Sequence, residues 1–288
     1  MLLSNCTQFL VHYVCQVREA SSTAPWRTSP LSHGDVINRQ LARGKTVNPL
    51  LEAPYVTTSI FRRDWLHCSD QGVASDFLGN FFKRMHEKYP GASKKEKYMA
   101  LFQDVRAFYT EFDVSDRLDT LLPTFVEKQN SGYKLKASAA QTRALVPFAY
   151  RLATEICDLT DPVEEALYWA AYHLNETYKT LSSECPEPLL KKAQHGPQFA
   201  LQYVALHDLL HPEDDKAFRI KPKMHLFLHV CAEDDLPAKN WCYRDEDFGG
   251  SAAKMSRRRG SVRILQGVSS VTLERFKAHT HTPRACIR

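Results

Sequence analysis

From Gly72 to Leu210 the apolar residues return at helical spacing, and this periodicity constrains the fold more than any other feature of the chain. Val73, Phe77, Leu78, Phe81 and Met85 form one stripe. Tyr98, Leu101, Phe102, Val105 and Phe108 form a second, entered through Ser93-Lys-Lys-Glu96, which reads as a capping box. Asp161-Pro162-Val163-Glu164 supplies an N-cap, a proline at the first helical position and an acidic first turn, ahead of Leu167, Ala170, Leu174, Tyr178 and Leu181. Residues 138–157 read as a helix that Pro147 should kink or end, because proline removes a backbone donor. After a Gly196-Pro197 break, Phe199, Tyr203, Leu206 and Leu210 predict a further helix over Gln198–Leu210. An antiparallel helical block over 72–210 follows, with too few strands to complete a sheet. The chain shows neither an internal repeat nor a low-complexity tract.

Upstream, residues 20–54 carry Pro25, Pro30, Gly34, Gly44, Pro49 and Pro54, punctuation too dense for long elements. An irregular arm with one short helix near Gly34–Leu41 is expected. Tyr55-Val-Thr-Thr-Ser-Ile-Phe61 has the β-branched and aromatic content of a short strand. Between it and the first helical stripe lies Asp64-Trp-Leu-His67-Cys-Ser-Asp70-Gln-Gly72, so the order reads strand, polar junction, buried helix. Folds mixing strands and helices place their sites at such junctions.

With 288 residues, 43% of them apolar, the chain can bury one large core or two modest ones. The net charge of +5 is uneven, since residues 251–288 hold nine Lys/Arg against one Asp/Glu while the rest carries −3. Within that tail, Arg257, Arg258, Arg259 and Arg263 suit contacts to phosphates or a nuclear address, and equally a solvated basic tail without a dedicated partner. Eight cysteines at wide, irregular intervals favour a reducing compartment and free thiols over a disulfide framework. The first ten residues lack a basic region and an unbroken apolar run, which argues against a signal peptide. No segment reaches the ~20 apolar residues of a membrane span. A nuclear or cytoplasmic protein, not a secreted one, and no membrane partner are therefore expected.

Three constellations could carry chemistry. Lys221-Pro-Lys-Met-His225-Leu-Phe-Leu-His229 sets two imidazoles at i and i+4, the spacing zinc peptidases use for two ligands. Leu226 stands where such a peptidase has its general base, so two histidines on a packed helix surface is the plainer reading. Cys242-Tyr-Arg-Asp245-Glu246-Asp247-Phe-Gly249-Gly250 gathers oxygen donors of the kind Mg or Mn prefers. Adjacent side chains on a helix diverge by about 100°, so all three cannot address one ion, and a solvated acidic helix start accounts for the same residues. His12-Tyr-Val-Cys15, with His67 and Cys68, offers the spacing of a partial structural zinc site.

Taken in order, these residues resemble the later part of a eukaryotic cut-and-paste DDE transposase, nearest the CACTA and Kyakuja-Dileera-Zisupton groups. Asp64-x-x-His67 with Gly72 and Gly79 resembles the DxxH motif and its glycine-containing helix, and Lys223-x-His225-x-x-x-His229 resembles the family's K-x-H-x-x-x-H helix. Asp245-Glu246-Asp247-Phe248-Gly249 resembles the segment that bears the catalytic Glu, which would give that role and metal ligation to Glu246.

The resemblance implies a mainly α chain with a small α/β part, the remnant of an RNase H-like domain with a large helical insertion. It implies an arm and core strand over 1–71, the insertion over 72–210, a return to the core over 211–265 and a basic tail over 266–288. In the intact family, two Asp and one Glu hold two Mg or Mn ions for in-line displacement at phosphodiesters. Asp64 and His67 would brace that centre. Both family Asp precede the DxxH motif, yet Asp35 is the sole Asp before Asp64, in a setting unlike a strand end. The expectation is thus a copy starting inside the catalytic domain, binding no ion by itself, incapable of cleavage alone and weakly bound to DNA through its arginines. The competing readings are a non-enzymatic all-helical interaction module and a small zinc-stabilised domain using His12, Cys15 and His67.

Overall fold

The computed structural model describes residues 33–42, 44, 46–47, 49–55, 63–128, 132–239 and 241–243. The chain divides into one unit over Met1–Trp241 and a second over Cys242–Arg288. The described residues of the first unit are mainly helical. The expected arm helix is α1 (His33–Ala42), followed by one short turn of helix, α2 (Pro49–Glu52). Of the expected strand, Tyr55 lies exposed in a turn at φ 66°, and Val56 to Phe61 fall outside the described residues.

Helix begins before Gly72, not at it. A π-helical stretch over Leu66–Ala74 leads into α3 (Ser75–Met85), with the backbone leaving helical geometry at Gly72 (φ −105°, ψ −111°), so the polar junction is helical up to a kink at that glycine. Burial explains this: Leu66, Cys68, Val73 and Ala74 face the core together with Ser69 and Asp70, polar residues that conceal the apolar stripe. The Asp70 carboxylate is fully buried and accepts hydrogen bonds from the Trp65 indole (3.2 Å) and the Tyr178 hydroxyl (2.6 Å).

The later helices follow their caps. In α4 (Lys94–Glu111) Ser93 Oγ accepts the Glu96 N–H while Glu96 reaches back to the Ser93 N–H, the reciprocal pairing expected of the box. Ser138 and Gln141 repeat it at the start of α6 (Ala139–Ile156). Between these helices lie the single turn α5 (Pro123–Val126) and a two-stranded antiparallel ladder, β1 (Glu127–Lys128) with β2 (Gly132–Tyr133). Asp161 Oδ1 accepts from the Val163 and Glu164 N–H groups and opens α7 (Pro162–Lys179).

At Pro147 the α6 helix does not end, and Leu145, Val146, Phe148 and Ala149 are buried on both sides of the proline. The break expected at Gly196-Pro197 needs correction: α8 (Pro188–Leu210) starts ten residues ahead of Gln198 and continues through both residues. The glycine there serves packing: a Cβ at 196 would lie 2.3 Å from Cys231 Sγ on α9 (Pro222–Ala232).

Helices α7 and α8 form an antiparallel hairpin, with α6 against α7 and α9 against both α8 and the π-helix. Aromatic rings join the layers: Trp65 meets Tyr178 edge-on at 5.3 Å, and Phe199 meets both Phe77 and Phe227 edge-on at 5.6 Å. Such pairs add about 0.5–1.5 kcal/mol each beyond their burial. Gly79 admits the chain after β2 across α3, since a Cβ there would lie 2.4 Å from Lys134 Cα. Asn80 fixes the same crossing, accepting the Phe218 N–H at 2.8 Å and donating to Tyr133 O at 3.3 Å. No helix among the described residues is long and apolar enough to cross a membrane.

Candidate functional site

Asp64 precedes the first helical turn, the position where an Asp side chain can satisfy orphan backbone donors. Its Oδ1 accepts the Leu66 N–H at 3.3 Å and its Oδ2 the His67 N–H at 2.9 Å. The same Oδ2 meets His67 Nδ1 at 2.6 Å, which fixes the imidazole against the helix start and leaves 47% of its side chain exposed. Turning a further 100° puts the next residue inside. Cys68 is buried, and burial, reinforced by the nearby Asp64 carboxylate, pushes its thiol up to about 12.

Helix α9 lies against this element. Lys223 covers Gly72, where a Cβ would lie 3.1 Å from the lysine Cδ and 2.9 Å from His67 O. Its ammonium donates to Gln71 O at 3.3 Å, across a separation of 152 residues. Lys221 donates to the buried Asp76 carboxylate at 2.8 Å, and Arg63 pairs with Glu233 at 2.7 Å. The end of α9 is tied down by the buried Lys192, whose ammonium donates to Glu233 O and Asp235 O at 2.7 Å each. On the helix itself, the Nε2 atoms of His225 and His229 meet at 2.9 Å. Burial, with a smaller contribution from the Arg63 guanidinium, pushes the His225 imidazole down to about 4. These two rings are therefore a packed, mutually hydrogen-bonded pair.

The structure thus joins two of the sequence-defined groups, Asp64-x-x-His67 and the Lys223–His229 helix. Asp35 lies in the first turn of α1. Glu246, Arg257, Arg258, Arg259, Arg263, His12 and Cys15 lie outside the described residues. Two groups escaped the sequence reading. Asp70 with Trp65 and Tyr178 is one, because its partner stands 108 residues away. The other is His173 with His195, whose Nδ1 atoms meet at 2.9 Å across the α7–α8 hairpin. Their near-equal distance from the turn between these helices was the available signal. The chain was compared with protein-family models, curated proteins and solved structures, and none of the three comparisons gives a match.

Proposed function

We propose that this chain is a transposase-derived protein of the DDE type, a catalytically incomplete RNase H-like remnant that binds DNA weakly and does not cleave it alone. The observation that supports this reading is the packing of the DxxH element on the Lys-Met-His helix, through Lys223 over Gly72, although 152 residues separate Lys223 from Gln71. An inserted helical block needs its entrance and exit side by side, and residues 63–76 and 221–233 meet that requirement. The Mg or Mn ions of the resemblance need converging carboxylates. Of the residues the resemblance assigns to that centre, Asp64 and His67 lie among the described ones, and one carboxylate by itself cannot clamp two ions.

In this reading Arg257, Arg258, Arg259 and Arg263 hold phosphates, and the DNA partnership is sequence-tolerant. Counterion release makes such binding steeply salt-dependent. Fluorescence anisotropy with labelled duplexes of unrelated sequence tests it: R257A/R258A/R259A should weaken binding and flatten the slope against log salt by about three phosphate contacts. Binding that is absent, or equal in the triple variant, refutes the DNA role. Cleavage with Mg or Mn, abolished by Glu246→Gln, refutes the inactive assignment.

A second reading, a helical interaction module, draws on the exposed Trp169, Leu189, Leu190, Leu201 and Leu209 of α7 and α8. Replacing Leu201 and Leu209 with Glu, with DNA binding left intact but self-association abolished in light scattering, would favour it.

A further inference from the structure

The α7–α8 hairpin brings together two imidazoles that neither the fold nor the proposed DNA role requires. His173 and His195 come from different helices, and their Nδ1 atoms stand 2.9 Å apart. Aromatic neighbours hold both rings: Trp169 stacks on His173 at 6.0 Å with an interplanar angle of 29°, and Tyr172 meets His195 edge-on at 5.8 Å. His173 also lines an open cavity of about 490 Å³ between the two helices, with Trp169, Glu165, Gln202 and Leu209. We infer that His173 and His195 are a two-imidazole site for a late first-row divalent metal ion of the Cu2+ or Ni2+ class, its remaining positions open to this groove.

Donor type points to the metal class: two imidazole nitrogens, 2.9 Å apart in the metal-free pair, are close enough to turn onto cis positions of a tetragonal ion such as Cu2+ or Ni2+. Cu2+ also heads the affinity order for nitrogen ligands. In the metal-free pair one ring donates its Nδ1 proton to the other. Binding needs that this ring carry its proton on Nε2 instead and that the rings turn until both Nδ1 lone pairs converge on the ion; both then ligate in the neutral state without net proton release.

Electrostatics separates this pair from the similar contact on α9. Arg63 bears on His225 and opposes a cation there. Around His173 and His195, Glu176 acts on both rings with the sign that favours a cation, and at His195 it acts more strongly than either Lys191 or Lys179 alone.

Two measurements on the full chain test the site. In calorimetric titration with Ni2+, the wild type should take up one equivalent that H173A/H195A lacks and H225A/H229A retains. Each single substitution should weaken uptake at least about tenfold, the least that loss of a group supporting a metal ligand costs. Carbethoxylation of the wild-type chain, read by mass spectrometry, needs no variant. Ni2+ or Cu2+ should protect His173 and His195 and leave His225 and His229 unchanged. Unprotected His173 and His195 overturn the assignment, as does full uptake by the folded double variant or a loss that follows His225 and His229 instead.

Discussion

His225 couples the stability of the helical unit to pH. Its ring is 3% exposed and its imidazole is pushed down from 6.5 to about 4, chiefly by burial. Between those values the unfolded chain binds a proton that the folded chain refuses, so stability rises with pH across this window and is lost as pH falls through it. The loss begins below pH 6.5 and is complete below about 4. From pH 7 to 4.5 linkage gives about 2 kcal/mol for this one ring, a sizeable share of the ~5–15 kcal/mol of a typical domain. The comparison variant is His225→Gln, whose neutral amide can still meet His229 but does not titrate. Urea unfolding followed by far-UV circular dichroism should show the wild type losing about 2 kcal/mol more than the variant between these two pH values. His173 contributes to both proteins and cancels. Equal losses in wild type and variant would refute the burial argument.

Two packing predictions have definite signs. Gly79→Ala lies within α3, where helix propensity alone favours alanine by about 1 kcal/mol, yet its Cβ would lie 2.4 Å from Lys134 backbone. The variant should be destabilised by about 1–3 kcal/mol, and a raised urea midpoint would show that the crossing chain yields. Tyr178→Phe keeps the ring against Trp65 but removes the hydroxyl that donates to Asp70 at 2.6 Å. A loss of about 1–3 kcal/mol is expected, and an unchanged midpoint would mean that this carboxylate does not need that donor.

Helix starts were legible because caps are local. Ser93, Ser138 and Asp161 each bind donors within three residues, so spacing alone carries the information. The break expected at Gly196-Pro197 was misread for the opposite reason. At Pro147 and Pro197 the lost backbone bond is local, but the side chains that outweigh it come from other helices, as Cys231 against Gly196 does. The early start of the first core helix was hidden by Ser69 and Asp70, which satisfy a burial pattern but not a hydrophobic one. Nothing within ten residues of Asp70 announces Tyr178.

The candidate site divides in the same way, and the division bears on its meaning. Folding accounts for Asp64, because an Asp there caps two backbone donors and any helix start gains from that. It does not account for His67. The capping bond uses the backbone N–H of residue 67, which almost any residue supplies, while the imidazole lies nearly half exposed and covers little core. Gly72 and Lys223 form an intermediate case, a close contact that fixes two distant segments together and so requires both residues for packing. The part of the motif with the weakest structural reason is therefore the His67 ring, held by Asp64 at 2.6 Å in one orientation. Substituting His67 with Gln should leave the unfolding midpoint within about 0.5 kcal/mol of wild type, as for a surface change. A loss comparable to Tyr178→Phe would instead make the whole motif a structural device.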